Sequence, residues 1–348
     1  MKRRLRAVGG AVLAALALAA CGHGGGAESP AAAAPAGTVL DAPAGWLSSP
    51  VWLADGYIYL LHGDPGYGPD TQLWRTREGG KAERLNPPAE AGCEHTDYRN
   101  LQALPDGRLG LGRWCGMEDP RKDHFDLIAL DPSTGKVEEL AVLGGTPAGN
   151  VAWAPGLQTG YVAHSTAICA GIAGLSRDGA QRMPEPVTFD GHTWAVDFTW
   201  FRDAAAECTA DGRADTPMLR KDGKSLVLFA SPTSQGKSGN DRTGQPWNLY
   251  RWTPGAGQPS AVVTGLGDPL GAWLDPDDRS VLVSARWQSK YGIWRVDLAS
   301  GAVTEVSPGR SIGVTMSPDG GKIAAVFQPA KGADYDIDHN ELRVIDAK

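Results

Sequence analysis

The sequence predicts an all-β chain, a β-propeller of six four-stranded antiparallel blades, and three observations carry that expectation. A strand–turn–strand unit recurs along the chain, clearest at residues 311–327, where alternating residues run into Pro318-Asp319-Gly320 and Ile323 to Phe327 return. The composition agrees: 46 glycines, 25 prolines and 12 tryptophans among 348 residues, 42 % of them apolar, suit many short strands around a substantial core. Finally, a strand ahead of the first unit has no partner of its own, and the last unit is one strand short. An isolated hairpin is marginal in water, so each unit needs neighbours of its own kind.

The extreme N-terminus reads as a targeting segment. Lys2, Arg3, Arg4 and Arg6 precede an apolar run from Ala7 to Ala20, shorter than the roughly 20 residues that span a bilayer. Leu18-Ala19-Ala20-Cys21 resembles the lipobox of bacterial lipoproteins. The resemblance implies a signal peptide over residues 1–20 and a lipidated N-terminal Cys21, held firmly because each buried methylene contributes about 0.8 kcal/mol. Residues 21–37, after Cys21, are mostly glycine, alanine, serine and proline with little to bury, the composition of a disordered tether. The propeller domain is then expected over residues 38–348, outside the cytoplasmic membrane and anchored to it.

The units follow in order. The first runs from Val51 through Asp55-Gly56 to Leu85, and the second from Leu101 through Pro105-Asp106-Gly107 to Leu143. The third is weaker, from Val151 through Pro155-Gly156 to Leu175, with Pro186 to Phe189 as its outermost strand. The fourth runs from Thr216 through Lys221-Asp222-Gly223 to Val263, and the fifth from Gly271 through Pro276-Asp277-Asp278 to Val306. The sixth adds Leu342 to Ile345 to its hairpin and is one strand short, while Thr38-Val39-Leu40 stands alone before the first unit. Closure by both chain ends reconciles the two and leaves no edge strand unpaired. Seven blades is the alternative, if Thr193 to Phe201 belongs to a degenerate extra unit.

Met316-Ser317-Pro318-Asp319-Gly320 and Leu274-Asp275-Pro276-Asp277-Asp278 are each followed by an apolar strand, and later by Leu342-Arg343-Val344-Ile345-Asp346 or Trp294-Arg295-Val296-Asp297. These segments resemble the WD40-like repeats of TolB-like propellers over most of the chain after Gly45. The resemblance implies repeat architecture and no particular activity. The sequence departs from TolB in having no room for an α/β domain ahead of the repeats.

In such a fold the tight turns share one face, and the b-to-c loops and blade links share the other. The second face receives the long insertions: residues 62–71, 87–97, 116–124, 191–215, 232–246 and 331–340. Long loops on a rigid scaffold are where function concentrates. Cys93, Cys115, Cys169 and Cys208 all map there, and local pairing, Cys93 with Cys115 and Cys169 with Cys208, fits best in an exported chain. Each such bond closes a loop of roughly 20 to 40 residues and stabilises by about 3 kcal/mol. A zinc site is the poorer reading, since no Cys-x-x-Cys spacing exists.

Candidate binding residues cluster beside the first pair: Glu94, His95, Asp97, Trp114, Glu118, Asp119, Arg121 and His124, the ingredients of a polar ligand site or of acid–base work. The bland alternative is a solvated loop with internal ion pairs. Trp194, Trp200, Trp247 and Trp287 fall near the same face, as stacking planes for a sugar or peptide or as ordinary packing. Asp334, Asp336 and Asp338 alternate as calcium ligands do, without the glycine of an EF-hand loop. Otherwise no cofactor is expected. Gly236-Lys237-Ser238 is no phosphate loop, because Ser231 stands where its first glycine belongs.

A net charge of −7 and the lack of a basic cluster beyond the N-terminus argue against nucleic acid. No Gly-x-Ser-x-Gly or His-Glu-x-x-His motif is present. The expectation is a monomeric, lipid-anchored envelope module that binds a peptide, glycan or protein partner. The alternative is a hydrolase or lyase using carboxylates such as Glu94, Asp97, Glu118 or Asp119.

Overall fold

The computed structural model describes residues 35–63, 71–85, 87–143, 149–165, 170–181, 187–189, 192–194, 212–232, 246–331, 334–336 and 338–347. After the two-residue strand β1 (Thr38–Val39), the chain winds into antiparallel sheets. The first sheet is β2 (Trp46–Trp52), β3 (Ile58–Gly63), β4 (Gln72–Thr76) and β5 (Glu83–Leu85), and the second is β6 (His95–Ala103), β7 (Leu109–Gly116), β8 (His124–Leu130) and β9 (Val137–Val142). The third is β10 (Val151–Trp153), β11 (Thr159–Ser165), β12 (Ala170–Ser176) and β13 (Gly179–Gln181).

A nine-stranded sheet follows: β14 (Val187–Phe189), β15 (His192–Trp194), β16 (Gly212–Leu219), β17 (Leu226–Pro232), β18 (Pro246–Trp252), β19 (Ser260–Leu274), β20 (Ser280–Trp287), β21 (Lys290–Asp297) and β22 (Val303–Pro308). Its length comes from β19, which pairs with β18 from Ser260 to Gly267 and with β20 from Gly267 to Leu274. The last large sheet holds β23 (Ser311–Met316) and β24 (Lys322–Phe327). A small ribbon of β25 (Ala330–Lys331) and β26 (Asp334–Tyr335) precedes β27 (Glu341–Asp346), which completes the sheet beside β24.

The arrangement is propeller-like. The middle strands are buried at successive positions, as in β3, β7, β20 and β24, so both faces of a sheet are covered, and successive sheets meet in separate cores. Val51, Tyr59 and Leu73 of the first sheet pack with Leu109, Leu111 and Ile128 of the second, and Leu127 and Leu140 with Val151, Val162 and Leu175 of the third. Further cores join the third sheet to β16–β18, β17–β18 to β20–β21, and β20–β21 to the last sheet. The last core returns to the start: Ala324, Val326, Leu342 and Val344 pack with Leu47, Ile58 and Leu60.

The ends close as expected. Thr38 and Val39 pair with Val344 and Arg343 on the outer edge of the last sheet, and Leu40 N–H donates to the Leu342 carbonyl at 2.9 Å. Leu40 is buried against the first and last sheets. One expectation needs correction. The outermost strand of the third sheet is β13, not the segment at Pro186 to Phe189, because Gly179 turns the chain straight back onto β12. Val187–Phe189 instead pairs with His192–Trp194, and that ribbon joins the inner strand β16 through one parallel pair, Trp194 with Gly212. Among the described residues it therefore extends an existing sheet. The rest of Thr193 to Phe201 lies outside them.

The tight turns are held by aspartates that accept from the backbone just ahead, as Asp222 does from Lys224 and Ser225. In the Pro276-Asp277-Asp278 turn, Asp278 takes the left-handed conformation (φ 63°) that Gly320 and Gly107 adopt elsewhere. Its carboxylate reaches across to Arg220 of the neighbouring hairpin at 3.0 Å.

Two outcomes are expected. Leu40→Ala lowers unfolding stability by about 2–3 kcal/mol in denaturant titration, because it empties the core at the seam. Hydrogen bonds from Ser225, and from Lys224, hold the Asp222 carboxyl down at about 2. A depressed carboxyl stabilises above its unfolded value of 3.8, and that contribution fades as pH falls toward 2. The stability gap between the native chain and Asp222→Asn is accordingly full at pH 6 and shrinks below about pH 4.

Candidate functional site

The inner strands β2, β6, β10, β16, β19 and β23 together line one cavity of ≈ 370 Å³. Most of its lining side chains are apolar, among them Leu104, Trp153, Met218, Leu219, Trp273 and Leu274, while Ser49, Gln102, Asn150 and Thr216 add polar side chains and exposed backbone groups make the surface polar and apolar in equal measure. Volumes of this order typify pockets that take small ligands or a few side chains of a partner.

A recurrent irregularity shapes its rim. In β2, β6, β16, β19 and β23 the pairing register with the next strand shifts at one point: after Ser48, Arg99, Asp215, Gly267 and Ser311. Four non-glycine residues at these shifts have left-handed backbones: Ser49 (φ 50°), Asn100 (φ 53°), Thr216 (φ 52°) and Asp268 (φ 47°). Three of them precede proline, at Ser49-Pro50, Thr216-Pro217 and Asp268-Pro269. Proline cannot donate to a ladder and a bulge relieves it of that need, so the strand bends and its side chains re-aim toward the axis. Left-handed non-glycine backbone is costly and gathers where function demands it. The rim groups also tie strands together: Asn150 donates to Thr216 Oγ1 at 3.1 Å, and Tyr291 to Asp268 Oδ2 at 2.8 Å.

None of the sequence-predicted rim residues lines this cavity. They stand at the far end of the second sheet, where Cys93 and Cys115 form a disulfide with Cα atoms 5.3 Å apart. That bond joins the two loops as expected, and Glu94 N–H donates to the Gly116 carbonyl at 2.8 Å. Glu94, His95 and Glu118 are exposed, with the His95 ring lying over Gly116, where a Cβ has no room. Asp119 is held by Arg121 at 2.9 Å in a surface pair. Trp114 is half-buried against the core between the second and third sheets. Asp97 is buried on β6 and accepts from Arg99 at 2.8 Å.

Beneath the disulfide lies a charged cluster that the spacing only half revealed. Arg113, 5 % exposed, donates to Asp126 Oδ2 at 2.7 Å and also pairs with Glu90. His124 Nε2 lies 3.3 Å from Glu90 Oε1 and 3.7 Å from Asp126 Oδ2, and Nδ1 lies 3.1 Å from the Lys122 carbonyl. Burial pulls the His124 pKa down, but the Lys122 carbonyl and the carboxylates of Asp126 and Glu90 outweigh it and the net shift is upward. Burial pushes Asp126 up against the pull of Arg113. Burial likewise raises Glu90, yet Arg113 and His124 prevail and hold it below the usual carboxylate range. Arg113 and Asp126 face each other in β7 and β8, an adjacency only the register sets.

The remaining candidates are dispersed. Trp247 is buried in the core between β17–β18 and β20–β21 with the Arg213 guanidinium 5.6 Å over its ring, and Trp287 packs on the same core. The side chain of Trp194, together with Trp200, Cys169 and Cys208, lies outside the described residues. Asp336 binds His339 Nδ1 at 2.9 Å and Lys331 at 3.5 Å, Asp338 is exposed, and the Asp334 side chain is outside the description. Among the described residues no helix is long and apolar enough to cross a membrane.

No family model and no curated protein sequence matches the chain. Its fold is shared with solved structures at low identity. The α-L-arabinofuranosidase Arb93A from Fusarium graminearum aligns with a TM-score of 0.55 at 10 % identity, over 90 % of this chain and 98 % of its own. An α-L-arabinanase from Penicillium chrysogenum gives 0.54 at 12 % identity, covering 90 % and 99 %. TolB from Acinetobacter baumannii gives 0.53 at 15 % identity over 84 % of this chain, which spans 61 % of that one. The likeness is one of fold: an all-β, TolB-like propeller arrangement.

Because Arg113 neutralises two carboxylates in a buried site, its loss is more damaging than that of a surface arginine. Arg113→Ala is expected to lower unfolding stability by about 3–5 kcal/mol, whereas Arg121→Ala, which breaks only an exposed pair, leaves it nearly unchanged. Chemical denaturation of the two variants side by side checks this.

Proposed function

We propose that the chain is a lipid-anchored, extracytoplasmic binding module, monomeric, whose six-bladed propeller receives an apolar segment of a peptide or protein partner along its axis. Six inner strands around one cavity, with β19 serving as the outer strand of the fourth blade and the inner strand of the fifth, support the count of six. The cavity itself is the observation that carries the binding reading. Its leucine, tryptophan and methionine walls suit apolar side chains, and its few hydroxyl and amide groups suit the backbone that bears them.

Binding is favoured over catalysis by what the candidate carboxylates do. Asp97 and Asp119 each hold an arginine, and neither lines the axial cavity. The anchor reading rests on the basic start, the short apolar run and Cys21. A stretch rich in glycine, alanine and proline between such an anchor and the propeller would give it reach near the membrane.

Trp153 and Trp273 line the cavity, so their fluorescence reports occupancy. In a titration with a panel of apolar-rich peptides, binding is expected, with Leu219→Glu weakening it by at least about ten-fold and Glu118→Gln leaving it unchanged. Binding that ignores Leu219→Glu but follows Glu118→Gln moves the site to the rim and defeats the proposal. For the anchor, Cys21→Ala is expected to shift the protein from the membrane fraction to the soluble one.

A further inference from the structure

The disulfide rim gathers metal-binding groups from three separate segments. Among the described residues, one ligand atom each from Glu90, Cys115 and His124 lies within 4.8 Å of the others, and Cys93 contributes the sulfur bonded to Cys115. The imidazole is oriented as a metal ligand would be: Nδ1–H donates to the Lys122 carbonyl, which leaves Nε2 turned toward Glu90. Nε2 and Glu90 Oε1 thus point at one another 3.3 Å apart, the separation of two ligands on one zinc, with Arg113 as the present counter-charge of Glu90. Met117 Sδ stands 3.4 Å from Cys115 Sγ, adding to the soft character of the pocket.

We propose that the Cys93–Cys115 disulfide masks a zinc site formed by Cys93, Cys115, His124 and Glu90. Ligands about 2.0–2.3 Å from a tetrahedral zinc lie roughly 3.3–3.8 Å from one another, so three of the four need to close by only about 1 Å. Reduction supplies the rest. Cys93 is half-buried and Cys115 fully buried, so the thiolate of a dithiol reductant attacks Cys93 and releases Cys115. The second reductant thiol then displaces the first from Cys93. One disulfide breaks in the protein, one forms in the reductant, and two electrons pass. Zinc binding removes the two thiol protons to solvent. Glu90 turns from Arg113 to the metal, and Arg113 keeps Asp126, its more deeply buried partner. The two loops are then tied by a covalent bond in oxidising surroundings and by a metal when that bond is cut. This site is independent of the axial cavity and of the binding reading.

The test uses the full-length protein with zinc, oxidised and after reduction by a phosphine, which takes the same two electrons as it becomes the phosphine oxide. Metal content after gel filtration is expected to rise to one zinc per chain only on reduction, and cobalt(II) in its place is expected to give a sulfur-to-cobalt charge-transfer band. His124→Gln and Glu90→Gln each weaken zinc binding by about 100-fold, with the fold of both variants checked by circular dichroism. The double variant Cys169→Ser, Cys208→Ser retains the site. Equal zinc in both redox states, retention unaffected by His124→Gln, or loss of zinc in the Cys169/Cys208 variant overturns the proposal. So does a reduced chain that loses its fold and does not recover it with zinc.

Discussion

A four-stranded sheet with two apolar faces cannot stand alone in water, and every feature of this molecule follows from the need to cover both. Each sheet solves the problem by packing against the one before and the one after, so the cores are many and small. A row of such sheets would still leave an apolar face at each end. The row therefore bends until Leu47, Ile58 and Leu60 meet Ala324, Val326 and Leu342. The seam between the termini has no covalent link, and β1, β27 and Leu40 supply the hydrogen bonds and the apolar contact that close it.

Ring closure has a geometric consequence at the axis. Inner strands that converge on a common line have less room than outer ones, and their ladders yield where the crowding is greatest. The register shifts after Ser48, Arg99, Asp215, Gly267 and Ser311 are that yielding, and the prolines that follow three of the left-handed residues make it permanent. The space left inside is the axial cavity, lined mainly by apolar side chains and by the backbone groups that the irregular ladders leave exposed. Its polar minority, Ser49, Gln102, Asn150 and Thr216, comes from the irregular points and the strands beside them.

The disulfide rim obeys a different logic. Arg113 sits under the loops because Glu90 and Asp126 compensate its charge, and fully buried Asp126 is the partner it depends on most. The covalent link above it holds the two loops in the geometry this compensation requires. Rigid charge of this kind is a poor place for a mobile ligand and a good one for a fixed ion.

Much of this was legible in the residues. Alternating apolar positions, Pro-Asp-Gly turns, an unpaired first strand and a last unit one strand short define the hairpins and the closure, because periodicity and turn chemistry are local properties. The pairing of Cys93 with Cys115 was legible too, from the positions of their loops in the repeat. The axial cavity was not, although Ser49-Pro50, Thr216-Pro217 and Asp268-Pro269 were its signal: a polar residue and a proline inside an otherwise alternating strand mark a bulge. Nor was the meeting of Arg113 with Glu90, since Glu90 lies in a loop and only the folded register brings the two together. The amino-acid order by itself determined which stretches become strands, where they turn and that the last must meet the first. Which side chains share the axis and which charges share a buried pocket was decided by tertiary structure, because both depend on how far each sheet rotates and slides against its neighbour.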